Sequence, residues 1–427
     1  MRAGAGWQRA APGAKRSPGD RPASRVAQVT ERPESLVAQD DTSAIPEPPA
    51  SFGKYRLLRR IGRGGMAEVF LARPKGQRRL LAIKCMRKSV AARPAFVEMF
   101  IREGKLAMQL NHDGIVKTYE IGRVHGVPFI CMEYISGVDL SQLIPRIHTH
   151  YLRRLPVPHA LYIVSQVCEG LEYAHALCDS DGRPLKLVNR DVNPSNIRIA
   201  FDGRVKLLDF GIAKASTALS SEIGAIKGKI GHMSPEQVRG LPLDRRSDLF
   251  SVGVTLHEML TGERLFKGSS DFQTMDRVRR AEVAPPSRVN PRVPEDLDAV
   301  VLRMLDRNPE QRIQTAAEAG EALRQVLARY RFTSSELRDL VRELFHGEWA
   351  QDEALIAASK ATEEHEVVPR KSARDEDYGE FVVALESGKR EVSRRPPRPA
   401  SRGAWWLYGL LLASLVVVLA AVAFVLW

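Results

Sequence analysis

Cysteine is scarce in this sequence, and no two cysteines form a C-x-x-C pair. The 427 residues include only four, at Cys85, Cys131, Cys168 and Cys178. Because cysteine zinc sites and small disulfide frameworks need closely or repeatedly spaced cysteines, this arrangement excludes a C-x-x-C zinc module and does not favour a disulfide-stabilised fold. All four lie in apolar stretches, so we expect buried free thiols in a reducing compartment.

A nucleic-acid-binding motif is also missing, although the net charge is +13. The Arg residues are spread along the chain and crowd into the two terminal stretches. Solvated tails near a membrane explain this distribution better than a nucleic-acid surface does. We therefore expect no nucleic-acid partner.

Apolar periodicity is absent from residues 1–50, which are rich in Ala, Pro, Arg and Ser. We expect this tail to be disordered, because it cannot bury enough apolar surface to offset its chain entropy. The early Arg residues are not followed by an apolar run, which argues against a secretory signal. An Arg-rich organelle transit peptide remains an alternative interpretation of this tail.

Short strands followed by helices are predicted from Tyr55 onward. The segments YRLLRRI, EVFLARP and RLLAIKCM predict three strands of a meander. A helix is predicted at about 94–110, and two further strands at about 116–121 and 128–134. The pattern is then mainly helical to about Arg331. The sequence predicts an α+β fold with a small β-rich lobe and a larger helical lobe.

The C-terminal quarter contains three kinds of segment. Residues 334–360 predict an amphipathic helical extension, capped by Ser334 or Ser335, that either packs on the helical lobe or binds a partner. Residues 361–403 are polar, charged and Pro-rich, as is typical of a basic, disordered juxtamembrane linker. Residues 404–427 carry no charge, and at about 1.5 Å per residue they span a hydrocarbon core of about 30 Å. We expect a single transmembrane helix there.

The flanks of this apolar segment predict its orientation. Aromatic residues mark both membrane interfaces, and Lys and Arg residues precede the span. The positive-inside tendency places everything before the span on the cytoplasmic side. Gly409 and Ala413 have a spacing that supports close contact between two such helices, so a homodimer is an alternative to a monomer.

A glycine-rich segment, IGRGGMAEVF, occupies residues 61–70. Gly62 and Gly64 let backbone amides approach phosphates without a Cβ in the way. A dinucleotide-binding fingerprint would lead from the glycines into a helix, whereas these lead into the strand EVFLA. The context favours a hairpin flap that covers a bound nucleotide, although an ordinary glycine-rich turn remains an alternative at this point.

Lys84 lies inside the apolar strand LLAIKCM, where an unpaired ammonium group would be costly to bury. It therefore needs anionic partners, for which Glu98 and Glu103 on the following helix and the phosphates of a nucleotide are candidates. A strand-edge lysine without a partner is the alternative.

Two later segments supply polar side chains for phosphoryl transfer. In LVNRDVNPSN, Asp191 and Asn196 have the D-x-x-x-x-N spacing of a catalytic loop for that reaction. In LLDFG, Asp209 follows the end of an apolar strand and precedes a glycine, which suits it to hold a metal ion.

In order and spacing, these four motifs and MSPEQ at 233–237 resemble the eukaryotic-like protein kinase family, and more closely its bacterial Ser/Thr branch. The resemblance covers roughly 55–330. It implies a bilobal protein-kinase fold, with ATP and Mg²⁺ as cofactors and Ser/Thr hydroxyls of proteins as substrates. Together with the apolar segment, it implies a single-pass protein of the bacterial inner membrane with its kinase domain in the cytoplasm.

The resemblance assigns catalytic roles to five of these side chains. Lys84 resembles the lysine that contacts the α- and β-phosphates. Glu103 resembles its partner on the helix, with Glu98 as the rival. Asp191 resembles the residue that orients the substrate hydroxyl and accepts its proton. Asn196 and Asp209 resemble the Mg²⁺ ligands.

The resemblance also implies a nucleotide site and a scaffold. The implied nucleotide-binding residues are Ile61, Gly62, Gly64, Val69, Ala82, Lys84, the gatekeeper Met132, Glu133 and Ile135 of the hinge, and Ile199 as the floor. Glu236 and Arg312 resemble a buried ion pair of the large lobe. Asp248 resembles the residue that braces the catalytic loop from below.

The sequence departs from the family pattern at three positions. Asn189 stands where the family usually has His, and Asn193 where Ser/Thr kinases usually have a Lys that touches the γ-phosphate. Lys229 stands where the family commonly has Thr, facing that Lys. We hypothesise that Lys229 supplies the charge that Asn193 lacks, against the alternative of a loop lysine without a catalytic role.

Control by phosphorylation is a further expectation. Arg190 precedes Asp191, and an Arg at this position in kinases often holds a phosphate of the activation segment. That segment contains Ser216, Thr217, Ser220 and Ser221, of which Thr217 and Ser221 are the candidate autophosphorylation sites.

Two other functions fit the same fold. A pseudokinase could serve as a membrane-tethered scaffold, and a small-molecule kinase could share the fold. The filled catalytic positions argue against the first, and the SPE segment with its following helix argues against the second.

Overall fold

The computed structural model describes residues 45–150, 154–211, 229–361 and 383–384. The N-terminal tail up to residue 44, the activation-segment hydroxyls, most of the predicted linker and the predicted membrane span lie outside these residues. Within the part that is described, no helix has both the length and the apolar character needed to cross a membrane.

The small lobe is built on a seven-stranded antiparallel sheet of order β1-β2-β3-β4-β6-β5-β10. Its strands are β1 (Ala50–Phe52), β2 (Tyr55–Arg63), β3 (Ala67–Pro74), β4 (Leu81–Met86), β5 (Thr118–Val124), β6 (Val127–Glu133) and β10 (Val383–Ala384). Helices α1 (Lys88–Ala91) and α2 (Pro94–Ala107) lie between β4 and β5. Five residues of the central strand β4 are buried, which leaves Lys84 as its one partly exposed side chain.

The large lobe is mainly helical. Its helices are α3 (Leu140–Thr149), α4 (Val157–His175), α5 (Pro235–Val238), α6 (Arg245–Thr261), α7 (Asp271–Arg280), α8 (Pro286–Val289), α9 (Glu295–Met304) and α10 (Ala316–Leu327). Every residue from Ser247 to Thr261 is buried, so α6 is the central helix, against which α4 and α9 pack. The small β-rich lobe and larger helical lobe are those that the sequence predicted.

Of three short strands below the cleft, the sequence predicted only the one that ends before Asp209. Strands β7 (Gly137–Asp139), β8 (Ile197–Ala200) and β9 (Val205–Leu207) form a second antiparallel sheet. With three or four residues each, they are too short for the two-residue alternation of a strand to stand out from a helical background. Strand β8 directly follows the catalytic loop and so fixes its exit.

The segment predicted as one helical extension consists of two helices, α11 (Ser334–Leu344) and α12 (His346–Ala361). The helix cap is Thr333 rather than Ser334 or Ser335, because its side chain and that of Glu336 form a capping box. Apolar residues of α11 join the core of the large lobe, as does Phe345 between the two helices. The extension therefore packs on its own domain.

Glu236 and Arg312 form a buried ion pair in the large lobe. The Arg312 guanidinium donates to both carboxylate oxygens of Glu236, at 2.6 and 2.8 Å, and Ser247 Oγ donates to Glu236 Oε1 at 2.6 Å. Burial raises the pKa of Glu236, but the hydrogen bonds and charge of Arg312 outweigh it, so the pKa lies below its ordinary value. The pair ties α5 to the segment before α10.

We expect Glu236→Gln to lower the free energy of unfolding by about 3 kcal/mol, because it leaves the charge of Arg312 buried without a counter-ion. Denaturant unfolding measures the change. The matched control is Arg303→Gln, which breaks an exposed ion pair with Glu318 at 2.8 Å and should cost less than about 1 kcal/mol. Equal losses in the two variants would contradict a special role for the buried pair.

Candidate active site

Lys84 lies between two carboxylates from different parts of the chain. Its Nζ is 3.1 Å from Glu103 Oε1 on α2 and 3.1 Å from Asp209 Oδ2. Burial alone would lower the pKa of Lys84, but the two carboxylates outweigh it and raise the pKa above its ordinary value. Lys84 therefore carries a fixed positive charge. The rival Glu98 pairs instead with Arg102 in solvent, at 3.1 Å.

A glycine allows α2 to bring Glu103 this close to the sheet. A Cβ on Gly104 would lie 2.8 Å from Ile121 Cδ1 and 3.1 Å from Ile130 Cδ1, which is closer than side chains pack. The helix therefore rests directly on β5 and β6, and the adjacent Glu103 reaches Lys84 on β4.

Asp248 holds the catalytic loop from below. Its carboxylate accepts the backbone N–H groups of Asn189 and Arg190, both at 2.8 Å, and lies 2.8 Å from His175 Nε2. Arg190 adopts a φ of +65°, a left-handed conformation that is uncommon for a residue with a side chain. The two hydrogen bonds stabilise this turn, and it directs the next residue, Asp191, into the cleft.

Asn189 joins the catalytic loop to the segment that carries Asp209. Its Oδ1 accepts the backbone N–H of Asp191 at 3.0 Å, and its Nδ2 donates to the carbonyl of Asp209 at 3.1 Å. The side chain is fully buried. Asn is smaller than the His that the family usually has here, and its amide makes two specific hydrogen bonds in that space.

Asp191 is held by two amide side chains. Asn196 Nδ2 donates to Asp191 Oδ2 at 2.8 Å, and Asn193 Nδ2 donates to Asp191 Oδ1 at 3.1 Å. Asn193 also caps the short 3₁₀ turn Pro194–Asn196, because its Oδ1 accepts the backbone N–H of Ser195 at 3.0 Å. Asn193 thus positions Asp191, although it lacks the positive charge of the Lys that Ser/Thr kinases usually have there.

Lys229 also reaches Asp191. Its Nζ lies 3.1 Å from Asp191 Oδ2, while Lys84 lies on the other side of the cleft with Asp209. The site therefore contains two ammonium groups, each beside a carboxylate. Lys229 stands at the end of the activation segment, directly after the undescribed residues 212–228.

The residues predicted to hold Mg²⁺ fit that ion. The amide nitrogen of Asn196 faces Asp191, so the amide oxygen of Asn196 points away from the Asp191 carboxylate. Asp209 adds a carboxylate that is only half-buried. Among the described residues, no group of three or more His, Cys, Asp and Glu forms a metal site. Two protein oxygens are sufficient for Mg²⁺, because this ion takes its remaining ligands from water and nucleotide phosphates.

The predicted nucleotide wall is assembled by the small lobe and the hinge. Val69, Ala82, Met132 and Ile135 belong to one apolar cluster. Gly62 lies near the end of β2 and pairs with Val69 of β3, and Gly64 lies in the turn between these strands, where its N–H donates to Ala67 O at 2.9 Å. Ile61 is 37% exposed. The glycine-rich segment is therefore a hairpin, as its context indicated.

The family-level comparisons agree with this geometry. The family model described as "Protein kinase domain" matches residues 55–326. The chain belongs to the protein kinase family. Among curated proteins, it is similar to the tyrosine-protein kinase MasK of Myxococcus xanthus, with 39% identity over 283 residues, 65% of this chain and 44% of MasK. It is also similar to the serine/threonine-protein kinase PknB of Mycobacterium leprae, with 39% identity over 278 residues, 64% of this chain and 42% of PknB.

These relatives confirm the predicted placement in the bacterial, eukaryotic-like branch of the kinases. The chain matches less than half the length of either relative. Among solved structures, the kinase domain of Mycobacterium tuberculosis PknI is 27% identical, with a TM-score of 0.50 over 66% of this chain and 98% of that one. The shared region is the bilobal kinase domain.

One predicted floor residue of the kinase cleft lies elsewhere. Ile199 is fully buried in the apolar core of the large lobe, as is Ile197. Because side chains of a strand alternate, Arg198 between them faces the hinge. Arg198 donates to the carbonyls of Ile135 at 2.9 Å and Gly137 at 2.5 Å. The only sequence signal for Arg198 is the alternation within this four-residue strand, which is too short to stand out from the apolar residues around it.

We expect Asn189→Ala to lower kcat on the order of tenfold and the free energy of unfolding by about 1–3 kcal/mol. It leaves the partly buried N–H of Asp191 and carbonyl of Asp209 without the hydrogen bonds that Asn189 makes to them. Phosphate transfer and denaturant unfolding measure the two effects. Asn111→Ala, at an exposed position, is the control, and wild-type kcat in Asn189→Ala would refute this role.

Proposed function

We propose that the chain is an ATP-dependent serine/threonine protein kinase that transfers the γ-phosphoryl group of ATP to protein hydroxyls. The arrangement of Lys84 between Glu103 and Asp209, opposite Asp191 and Asn196, is the observation that carries the proposal. It brings together the charges that phosphoryl transfer needs, from four separate segments of the chain.

In the proposed reaction, Lys84 binds phosphate oxygens through the charge that Glu103 and Asp209 fix in place. Asp191 orients the substrate hydroxyl and accepts its proton, with its carboxylate held by Asn193 and Asn196. When Mg²⁺ is bound, Asn196 and Asp209 would hold it, and it would neutralise negative charge on the phosphates. The hairpin over the cleft excludes water from the phosphates.

Phosphorylation of tyrosine is a second candidate, because one relative with 39% identity is named a tyrosine-protein kinase. The sequence Asn193-Pro194 before Asn196, which resembles the K-P-x-N of Ser/Thr kinases, supports serine and threonine. Phosphoamino-acid analysis of the product distinguishes the two.

Membrane attachment and self-activation belong to the same proposal. The uncharged residues 404–427 and the basic residues before them support a cytoplasmic kinase domain at a bacterial inner membrane. Arg190 Nε is buried and has no hydrogen-bond partner among the described residues. This supports capture of a phosphate on Thr217 or Ser221 by Arg190.

We expect the full chain to transfer labelled phosphate from ATP to a generic basic protein and to itself, and Asp191→Asn to lose at least about 10³-fold of both activities. Mass spectrometry of wild type and variant locates the self-modified residues, with Thr217 or Ser221 expected. Labelling that persists in purified Asp191→Asn, or a wild type without any transfer, would refute the proposed activity. The second result would favour a pseudokinase scaffold.

We expect Lys229→Ala to lower kcat by about 10²-fold, because it removes the ammonium group beside Asp191. Asn193→Lys in the same background should recover about tenfold of that loss by returning a charge. The recovery is partial because Asn193 also caps the following turn. The exposed Lys267→Ala is the control. A kcat for Lys229→Ala within threefold of wild type would show that Lys229 has no catalytic role.

A further inference from the structure

A carboxylate on the C-terminal extension contacts both the small lobe and the hinge. Asp352 on α12 is 5% exposed. Its Oδ1 accepts from Arg59 Nη2 at 2.7 Å, and its Oδ2 accepts from Tyr134 Oη at 2.7 Å and Ser136 Oγ at 3.0 Å. A carboxylate this buried is stable only with such partners, and here they come from two different structural units.

The partners of Asp352 adjoin the nucleotide site. Tyr134 and Ser136 flank Ile135, the hinge residue of the apolar nucleotide wall. Arg59 lies on β2, two residues before Ile61 at the start of the glycine-rich hairpin. Burial and Asp352 raise the pKa of Tyr134, which keeps its hydroxyl a donor to Asp352.

The support of Asp352 is rigidly attached to the large lobe. Leu337, Val341 and Leu344 of α11 belong to the large-lobe core. Arg342 Nε donates to Phe201 O at 2.6 Å, beside strand β8. At Gly203, which has a φ of +90°, a Cβ would lie 2.6 Å from Ser334 O, so the two backbones are in direct contact.

Helix α12 is held at its start as well. Arg146 of α3 donates to Leu344 O at 3.0 Å and to Glu348 Oε1 at 2.9 Å. Arg342 also stacks on the Trp349 ring, 4.7 Å from its centroid. Asp352 therefore projects from a helix that cannot shift without disturbing these contacts.

We propose that Asp352 is a positioning residue for the nucleotide site, holding the hinge and the strand that enters the glycine-rich hairpin in register with the large lobe. This inference rests on the proposed kinase function. Through Tyr134 and Ser136 it fixes the backbone on both sides of Ile135. Through Arg59 it fixes the base of the flap that covers the phosphates. The extension is thereby part of the ATP site, although it does not touch the nucleotide.

A positioning role and a merely structural role have different kinetic signatures. Loss of folded protein lowers kcat in proportion to the active fraction and leaves the KM for ATP unchanged. Misplacement of the hinge and flap weakens nucleotide binding in every folded molecule and raises that KM. The KM for ATP is therefore the deciding measurement.

The experiment compares the full-length wild type with Asp352→Ala in phosphate transfer over a range of ATP concentrations. We expect the KM for ATP to rise about tenfold while kcat stays within about threefold of wild type. Asp352→Glu, which keeps the charge, should recover part of the affinity. Asp339→Asn is the control, since Asp339 lies on α11 in an exposed ion pair with Arg338.

A KM for Asp352→Ala within twofold of wild type, or an equal rise in Asp339→Asn, overturns the proposal. If Asp352→Ala does not fold, Arg59→Met and Ser136→Ala decide by the same measurement, and an unchanged KM in both overturns it. The dissociation constant of a fluorescent ATP analogue is measured alongside. If the wild type binds this analogue and transfers no phosphate, the proposed function fails. The change in the dissociation constant between wild type and Asp352→Ala then decides the inference by itself.

Discussion

The carboxylate of Asp248 is the contact on which the catalytic loop depends. It accepts two consecutive backbone N–H groups, and this stabilises the left-handed turn at Arg190 that directs Asp191 into the cleft. Its own position is fixed because α6 is buried from Ser247 to its end. The most deeply packed helix of the large lobe thus sets the geometry of the most polar loop, and any change in that packing reaches the reacting groups.

Around this loop, amide side chains replace charged and aromatic ones. Asn189 and Asn193 stand where the family usually has His and Lys, and both hold parts of the loop by pairs of hydrogen bonds. A hydrogen-bonded amide fixes the orientation of its partner group as firmly as a charged side chain does, but it does not offset the charge of a phosphate. The amides therefore hold the geometry of the loop, and a second ammonium group, that of Lys229, lies 3.1 Å from Asp191 Oδ2.

Much of this arrangement can be predicted from sequence, because the motifs are local. The strand lysine, the D-x-x-x-x-N spacing and the Asp-Phe-Gly segment each lie within a few residues, and the family fold brings them together. Ile199 was misplaced by one step of the strand alternation, since β8 is too short to show its period among apolar residues. The contacts of Asp352 could not be predicted, because its partners lie 216 to 293 residues away in the chain.

The guanidinium below the hinge has a consequence for small molecules. Arg198 is fixed by two backbone carbonyls and by Asp139 Oδ1 at 2.8 Å, so it is a rigid, planar cation on the face of β8 opposite the large-lobe core. Electron-rich aromatic rings bind such a surface through their faces, whereas purely aliphatic groups gain little from it. A flat, electron-rich ring that reached the hinge from this side would therefore meet a fixed cation, and not the aliphatic side chain that the sequence predicted at Ile199.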